Sequence, residues 1–200
     1  MKKILLILLA FLIPGFYANA TIWFVNINAS GLNDGTSWTN AFNDLQDGIA
    51  ASAFEDTIWV AAGTYKPTSD NARLINFSIK NGTKVFGGFN GTETSFIERD
   101  YNNNITILSG EIGSGNSNDN TFSVVKFYNV TNQTKIDGFQ IKGGYGSNPG
   151  GGMSNSGLGG GIYSNNSSAI IENCKIIGNY AQIDGGGIYH KGSGNLTIKK

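Results

Sequence analysis

The segment Gly159-Gly160-Gly161-Ile162-Tyr163 returns 26 residues later as Gly185-Gly186-Gly187-Ile188-Tyr189. Between the copies, Ala169-Ile170-Ile171-Glu172-Asn173-Cys174-Lys175-Ile176 reads as two short strands with a bend, and Leu196-Thr197-Ile198 restarts the same phrase. A repeat of strands this short cannot bury its own apolar face and has to stack on neighbouring copies. Side chains alternate between the two faces of a strand. Ala169, Ile171, Cys174, Ile176, Ala181 and Ile188 are therefore assigned inward, with Asn173 at the corner and Gly178-Asn179 in a turn. Corners need a left-handed backbone, which Gly, Asn and Asp adopt at least cost. Ile136-Asp137-Gly138-Phe139-Gln140-Ile141 aligns with Ile171–Ile176 at a spacing of 35, which puts Gly138 on the corner held later by Asn173. A Gly/Ser/Asn-rich surface loop from Gly143 to Gly161, including Tyr145 and Met153, absorbs the longer spacing.

At the other end, Lys2-Lys3, the apolar run Ile4–Ile13 and Ala18-Asn19-Ala20 have the form of a secretory leader with a small-x-small cleavage site. The mature chain is expected to begin at Thr21. The apolar run is too short to span a membrane and no second one follows, so no transmembrane segment is expected after cleavage. Residues 21–63 are read as an N-terminal strand, a capping helix and a first buried strand, and residues 64–200 as stacked strands. Ser37 or Thr36 offers an N-cap, and Trp38, Ala41, Phe42, Leu45 and Ile49 recur on one helical face. That helix is expected to cover the open end of the stack; packing along its side is the alternative. Thr57–Ala61, Phe77–Ile79, Lys84–Phe89, Ile105–Leu108, Phe122–Phe127 and Lys135–Ile141 read as strands. Glu93–Asn104 and Gly113–Asn120 read as loops.

Whole-chain charge is balanced at 14 basic and 14 acidic residues, so loss of Lys2 and Lys3 leaves 12 against 14. Nothing in that balance suits a polyanion such as nucleic acid. The lone Cys174 excludes an internal disulfide, and its inward position favours a small buried residue over a reactive thiol.

These residues resemble a known family. The paired GGGIY segments with Asn173-Cys174-x-Ile176-x-x-Asn179 between them look like the coils of secreted, pectate-lyase-like β-helix proteins. The likeness is to surface proteins of Bacteroidetes and to the repeats of chlamydial polymorphic outer-membrane proteins, with Ile176 where the latter place Phe. Gly35-Thr36-Ser37-Trp38, Asp56–Tyr65 and Gly87-Gly88-Phe89-x-Gly91-Thr92-Glu93-Thr94 are similar to the start of the same bacterial proteins. The resemblance implies an all-β fold, a right-handed parallel β-helix with one N-terminal capping α-helix, exported to the cell surface or beyond. It implies an adhesin-like or glycan-contacting role with a polysaccharide or host surface glycan as partner. It also implies further coils or a sorting domain beyond Lys200. The fold hosts lyases and hydrolases as well, so an enzyme acting on an acidic polysaccharide is the alternative.

No residues are assigned to catalysis, to a metal or to a cofactor. A lyase of this fold needs clustered acids on calcium and a basic residue, whereas the acids here are scattered. Asp137 and Glu172 fall at equivalent positions and are expected outward, one strand apart, as a cation or acid–base pair or else as a solvated face. Tyr163 and Tyr189 each follow an inward Ile and are expected to face out in a row. Such a row packs on sugar rings or merely stacks because the strands repeat. His190, the only histidine, is placed at a surface turn.

Overall fold

The computed structural model describes residues 20–147 and 156–200. The expected leader, apart from Ala20, and Met153 lie outside these residues. After an edge strand β1 (Ile22–Val25) and α1 (Leu45–Ala51), the single α-helix among the described residues, the chain is a succession of short strands. β2 (Thr57–Ala61), β3 (Gly63–Tyr65) and β4 (Phe77–Ser78) are followed by β5 (Lys84–Phe89), β6 (Thr106–Ser109) and β7 (Val125–Tyr128). Next come β8 (Lys135–Asp137), β9 (Phe139–Lys142), β10 (Tyr145–Gly146) and β11 (Ile162–Asn165). β12 (Ile170–Glu172), β13 (Lys175–Ile176), β14 (Tyr180–Ala181), β15 (Ile188–Lys191) and β16 (Thr197–Lys199) complete the sequence.

These strands assemble into open sheets in which each strand pairs with its equivalent before and after it. The first sheet runs β1-β2-β5-β8-β12-β16, the second β3-β6-β9-β13, the third β4-β7-β11-β15, and β10 pairs with β14. Every pairing is parallel. The two GGGIY segments meet through Ile162 opposite Ile188 and Tyr163 opposite Tyr189. Ile171 lies opposite Ile136 and Glu172 opposite Asp137, the expected offset of 35.

One continuous core runs through the stack. Ile58, Val85, Ile136 and Ile171 supply it from the first sheet, Leu108 and Ile141 from the second, and Phe127 and Ile162 from the third, all nearly inaccessible. Each such side chain contributes about 1.5–3 kcal/mol by leaving water. Cys174, Ile176 and Ile188 join this core only partly buried.

The corners follow from backbone geometry. Gly138 (φ +81°) and Asn173 (φ +50°) both adopt the left-handed conformation between first-sheet and second-sheet strands. The glycine runs have a second cause. A β-carbon at Gly160 would collide with the carbonyl oxygen of Tyr180, and one at Gly161 would crowd that of Gly187, so the backbones there approach too closely for a side chain.

The helix differs from expectation. It starts at Leu45 under an Asp44 cap, whose carboxylate accepts from the Gln46 N–H, instead of at Ser37. Residues 31–42 are sewn along the edge of β1: Phe42 N–H donates to Phe24 O and Asn26 N–H to Phe42 O. Trp38 is withdrawn into an aromatic cluster with Phe24, Trp59 and Phe89, which outweighs its helical spacing. Leu45 and Ile49 still enter the core, and Gly48 abuts Val25 and Ile58. The helix packs on β1, β2 and β4.

Candidate functional site

Along the first sheet, one register position faces away from the core in every strand. Phe24, Trp59, Phe86, Asp137, Glu172 and Lys199 occupy it in succession. The aromatic members are roofed by Trp38 and Phe96, with Trp59 stacked on Phe89 at 4.7 Å. Glu93 pins the segment beside them: its carboxylate accepts from the N–H groups of Asn90, Gly91 and Thr92, and its carbonyl accepts from the Trp38 indole. The Gly91-Thr92-Glu93 phrase thus holds a strap across the outer face.

Asp137 points away from the core, as its alternation with Ile136 requires, but the strap takes it out of solvent: Arg99 covers it, the guanidinium standing 2.7 Å from Oδ1 with both side chains almost inaccessible. Asn173 Nδ2 donates to the same oxygen at 3.0 Å, and Arg99 Nε donates to Gly87 O. Gly138 lies against the Arg99 guanidinium, with no room for a β-carbon. Glu172 is about a quarter exposed and is bound by Lys135 at 2.5 Å. Two acids at adjacent positions are therefore each paired with a separate cation.

Tyr163 and Tyr189 do stack, with ring centroids 5.9 Å apart and planes 24° from parallel. Only Tyr189 keeps solvent access. Tyr163 is 4% exposed, beside a cavity of about 90 Å³ shared with Arg73, Leu74, Phe122 and Lys126. Lys126 Nζ and Lys191 Nζ lie 5.7 and 5.8 Å from its ring. A second pair, Tyr145 on Tyr180 at 4.7 Å, was hidden in the sequence within the expected loop, although its spacing of 35 matches that of Ile136 and Ile171. His190 is also corrected. It sits in β15 opposite Ser164, half-buried, with Nδ1 3.0 Å from the Ser164 hydroxyl and Nε2 3.2 Å from Gly194 O. A carbonyl only accepts, so Nε2 donates, and in the neutral ring Nδ1 then accepts from the serine. Ser164 is fully buried, which denies this pair access to a substrate.

A cleft of about 280 Å³ lies at the corner between first and second sheets. Its exposed lining is mainly apolar, with Tyr101, Ile105, Phe139 and Cys174 in the wall, and Asn102, Thr106, Gly138, Gln140, Asn173, Lys175, Lys199 and Lys200 complete it. No carboxylate is among its lining residues. Gln140 lies opposite Lys175 in the outward register of the second sheet. Behind the wall, Asn173 joins the cleft to the Asp137–Arg99 pair. The Cys174 thiol donates to Glu172 O at 3.1 Å, and burial pushes its pKa up to about 11. It is a packed thiol at neutral pH, not a nucleophile.

Among the described residues, no three His, Cys, Asp or Glu side chains come together as a metal site, and no helix is long and apolar enough to cross a membrane. No family model, curated protein or solved structure matches the chain.

Proposed function

We propose that the chain is a right-handed parallel β-helix, exported and displayed outside the cell, that binds an anionic saccharide in the cleft between Tyr101 and Lys175 without transforming it. The observation that carries this reading is the composition of the cleft. Amide groups of Asn102 and Gln140 offer paired donors and acceptors to sugar hydroxyls, Tyr101 with Ile105 and Phe139 offers an apolar face to the ring carbons, and Lys175 offers charge to a carboxylate or sulfate. The pairing of Asp137 with Arg99 and of Glu172 with Lys135 engages each carboxylate with its own cation, which favours binding over a paired acid–base reading. The likeness of the repeated segments to secreted β-helix proteins, and the return of every sheet to its own strands in chain order, support the architecture.

The test is binding of the mature chain to neutral, uronate-bearing and sulfated oligosaccharides. Binding restricted to the charged sets, weakened about tenfold or more by Lys175→Ala or Gln140→Ala (about 1.4 kcal/mol each), is the expected result. Absence of binding to every set overturns the reading. Release of unsaturated or reducing ends from a uronate polymer would replace it with a lyase or hydrolase.

A further inference from the structure

Asp56 is built like a receptor for a donor that arrives from the start of the chain. It is 5% exposed, immediately before β2, and all of its side-chain partners are N–H groups. The Thr21 N–H donates to Oδ1 at 2.8 Å, while the Trp23 indole and the Ala53 N–H donate to Oδ2 at 3.0 and 2.9 Å. On its other side Thr21 is anchored through its carbonyl, which accepts from the Thr57 N–H at 2.9 Å. The nitrogen of Thr21 is thus fixed against a buried carboxylate. The same nitrogen follows Ala18-Asn19-Ala20, the small-x-small sequence that marks a cleavage site.

We propose that Asp56 receives the new chain start: cleavage between Ala20 and Thr21 frees an α-ammonium that pairs with the Asp56 carboxylate and locks β1 onto β2. The proposal rests on the export reading above. The chemistry is hydrolysis by an endopeptidase that accepts small side chains. Water adds across the peptide bond, leaving a carboxylate on Ala20 and an ammonium on Thr21. One amide donor is exchanged for a full positive charge in the same place, and a charged donor on a carboxylate makes a shorter and stronger bond. Before cleavage β1 is tied to the carboxylate by uncharged donors, the Thr21 N–H and the Trp23 indole; after it, an ion pair fastens the strand at its first residue.

The surroundings suit that pairing. Burial pushes the Asp56 carboxyl up, but the donors from Thr21, Ala53 and Trp23 and the charge of Lys80 outweigh it and leave it below the usual carboxylate range. Lys80 itself is engaged with the carbonyls of Ala50 and Ser52. The other charged neighbours are Glu55, which precedes it in the chain, and Lys84, whose backbone N–H donates to Asp56 O. Stability from the carboxylate is present above its unfolded pKa and is lost as pH falls through the folded value. Stability from an ammonium held in this pair is present below about 7.7–8.0, the unfolded range of an α-amine, and is lost as pH rises through its raised folded value.

The full-length chain is expressed in an exporting bacterium, and the exported product is sequenced from its N-terminus. Its α-amine is then titrated by the pH dependence of acylation. The expected start is Thr21, with an amine pKa about one unit above the ordinary range, returned to that range by Asp56→Asn. Should Asp56→Asn fail to fold, Nα-acetylation of the wild-type product substitutes for it and is expected to lower the melting temperature. A start at another residue, or an unexported, uncut product, overturns the cleavage premise. A Thr21 start with an ordinary amine and a melting temperature indifferent to acetylation overturns the ion pair while leaving export intact.

Discussion

Arg99 and Asp137 form an ion pair at 2.7 Å across 38 residues of sequence, with side-chain exposures of only 6% and 7%. The guanidinium also lies 5.6 Å from the Phe86 and Phe96 rings and 5.1 Å from that of Tyr101. One side chain therefore fastens the strap formed by residues 90–104 to the outer face of the first sheet and shapes the wall of the cleft.

Removing one partner of a buried pair leaves an uncompensated charge, a loss of about 3–5 kcal/mol. Arg99→Met and Asp137→Leu are each expected to lower unfolding free energy by that order in urea titrations. The double variant is expected to lose clearly less than the sum, because the stranded charge is then gone. Additive losses would show that the two groups do not depend on each other.

The glycine runs predict a specific cost. Gly160→Ala forces a β-carbon into the Tyr180 carbonyl and is expected to cost about 1–3 kcal/mol. Thermal unfolding of the variant measures it; a change within about 0.5 kcal/mol of zero would contradict the close-approach account.

Tyr65 sets an alkaline limit. Its hydroxyl is buried, donating to Ala61 O at 3.1 Å and accepting from Ile27 N–H at 3.3 Å, and burial raises its pKa to about 12. The unfolded phenol ionises near 10, so the native state is favoured fully below pH 10 and loses that advantage as pH climbs towards 12. The expected loss is of order 2–3 kcal/mol over this window. Tyr65→Phe is expected to flatten that slope while losing about 1 kcal/mol at neutral pH. Equilibrium unfolding at stepped pH measures both.

Much of this arrangement was legible in the sequence because strand alternation and corner chemistry are local. The offset of 35 linking Ile136 to Ile171, the left-handed corners at Gly138 and Asn173, and the pairing of Tyr163 with Tyr189 all follow from residue spacing. What failed was non-local. Trp38 and Phe42 carry a helical period, yet packing against Phe24, Trp59 and Trp23 draws them out of the helix. Asp137 has the alternation of an outward residue, and nothing near it in sequence announces that Arg99 will cover it. The cleft was unreadable for the same reason: Tyr101 comes from the strap, Gln140 and Lys175 from two different strands. One clue stood in the sequence, since Arg99 is one of only two arginines and follows the Gly91-Thr92-Glu93 phrase closely.

Cys174 lines the cleft and gives a direct readout of its occupancy. With the thiol pushed up to about 11, thiolate near neutral pH is roughly two orders of magnitude scarcer than for a free cysteine. Labelling by an alkylating reagent is therefore slow and rises steeply with pH. The most direct test of anionic saccharide binding is the alkylation rate of Cys174 at pH 9 with and without saturating uronate or sulfated oligosaccharide, with a neutral oligosaccharide as control. The expected result is severalfold protection by the charged sugars alone, abolished by Lys175→Ala. Unchanged labelling with every sugar, or equal protection by the neutral control, would contradict it.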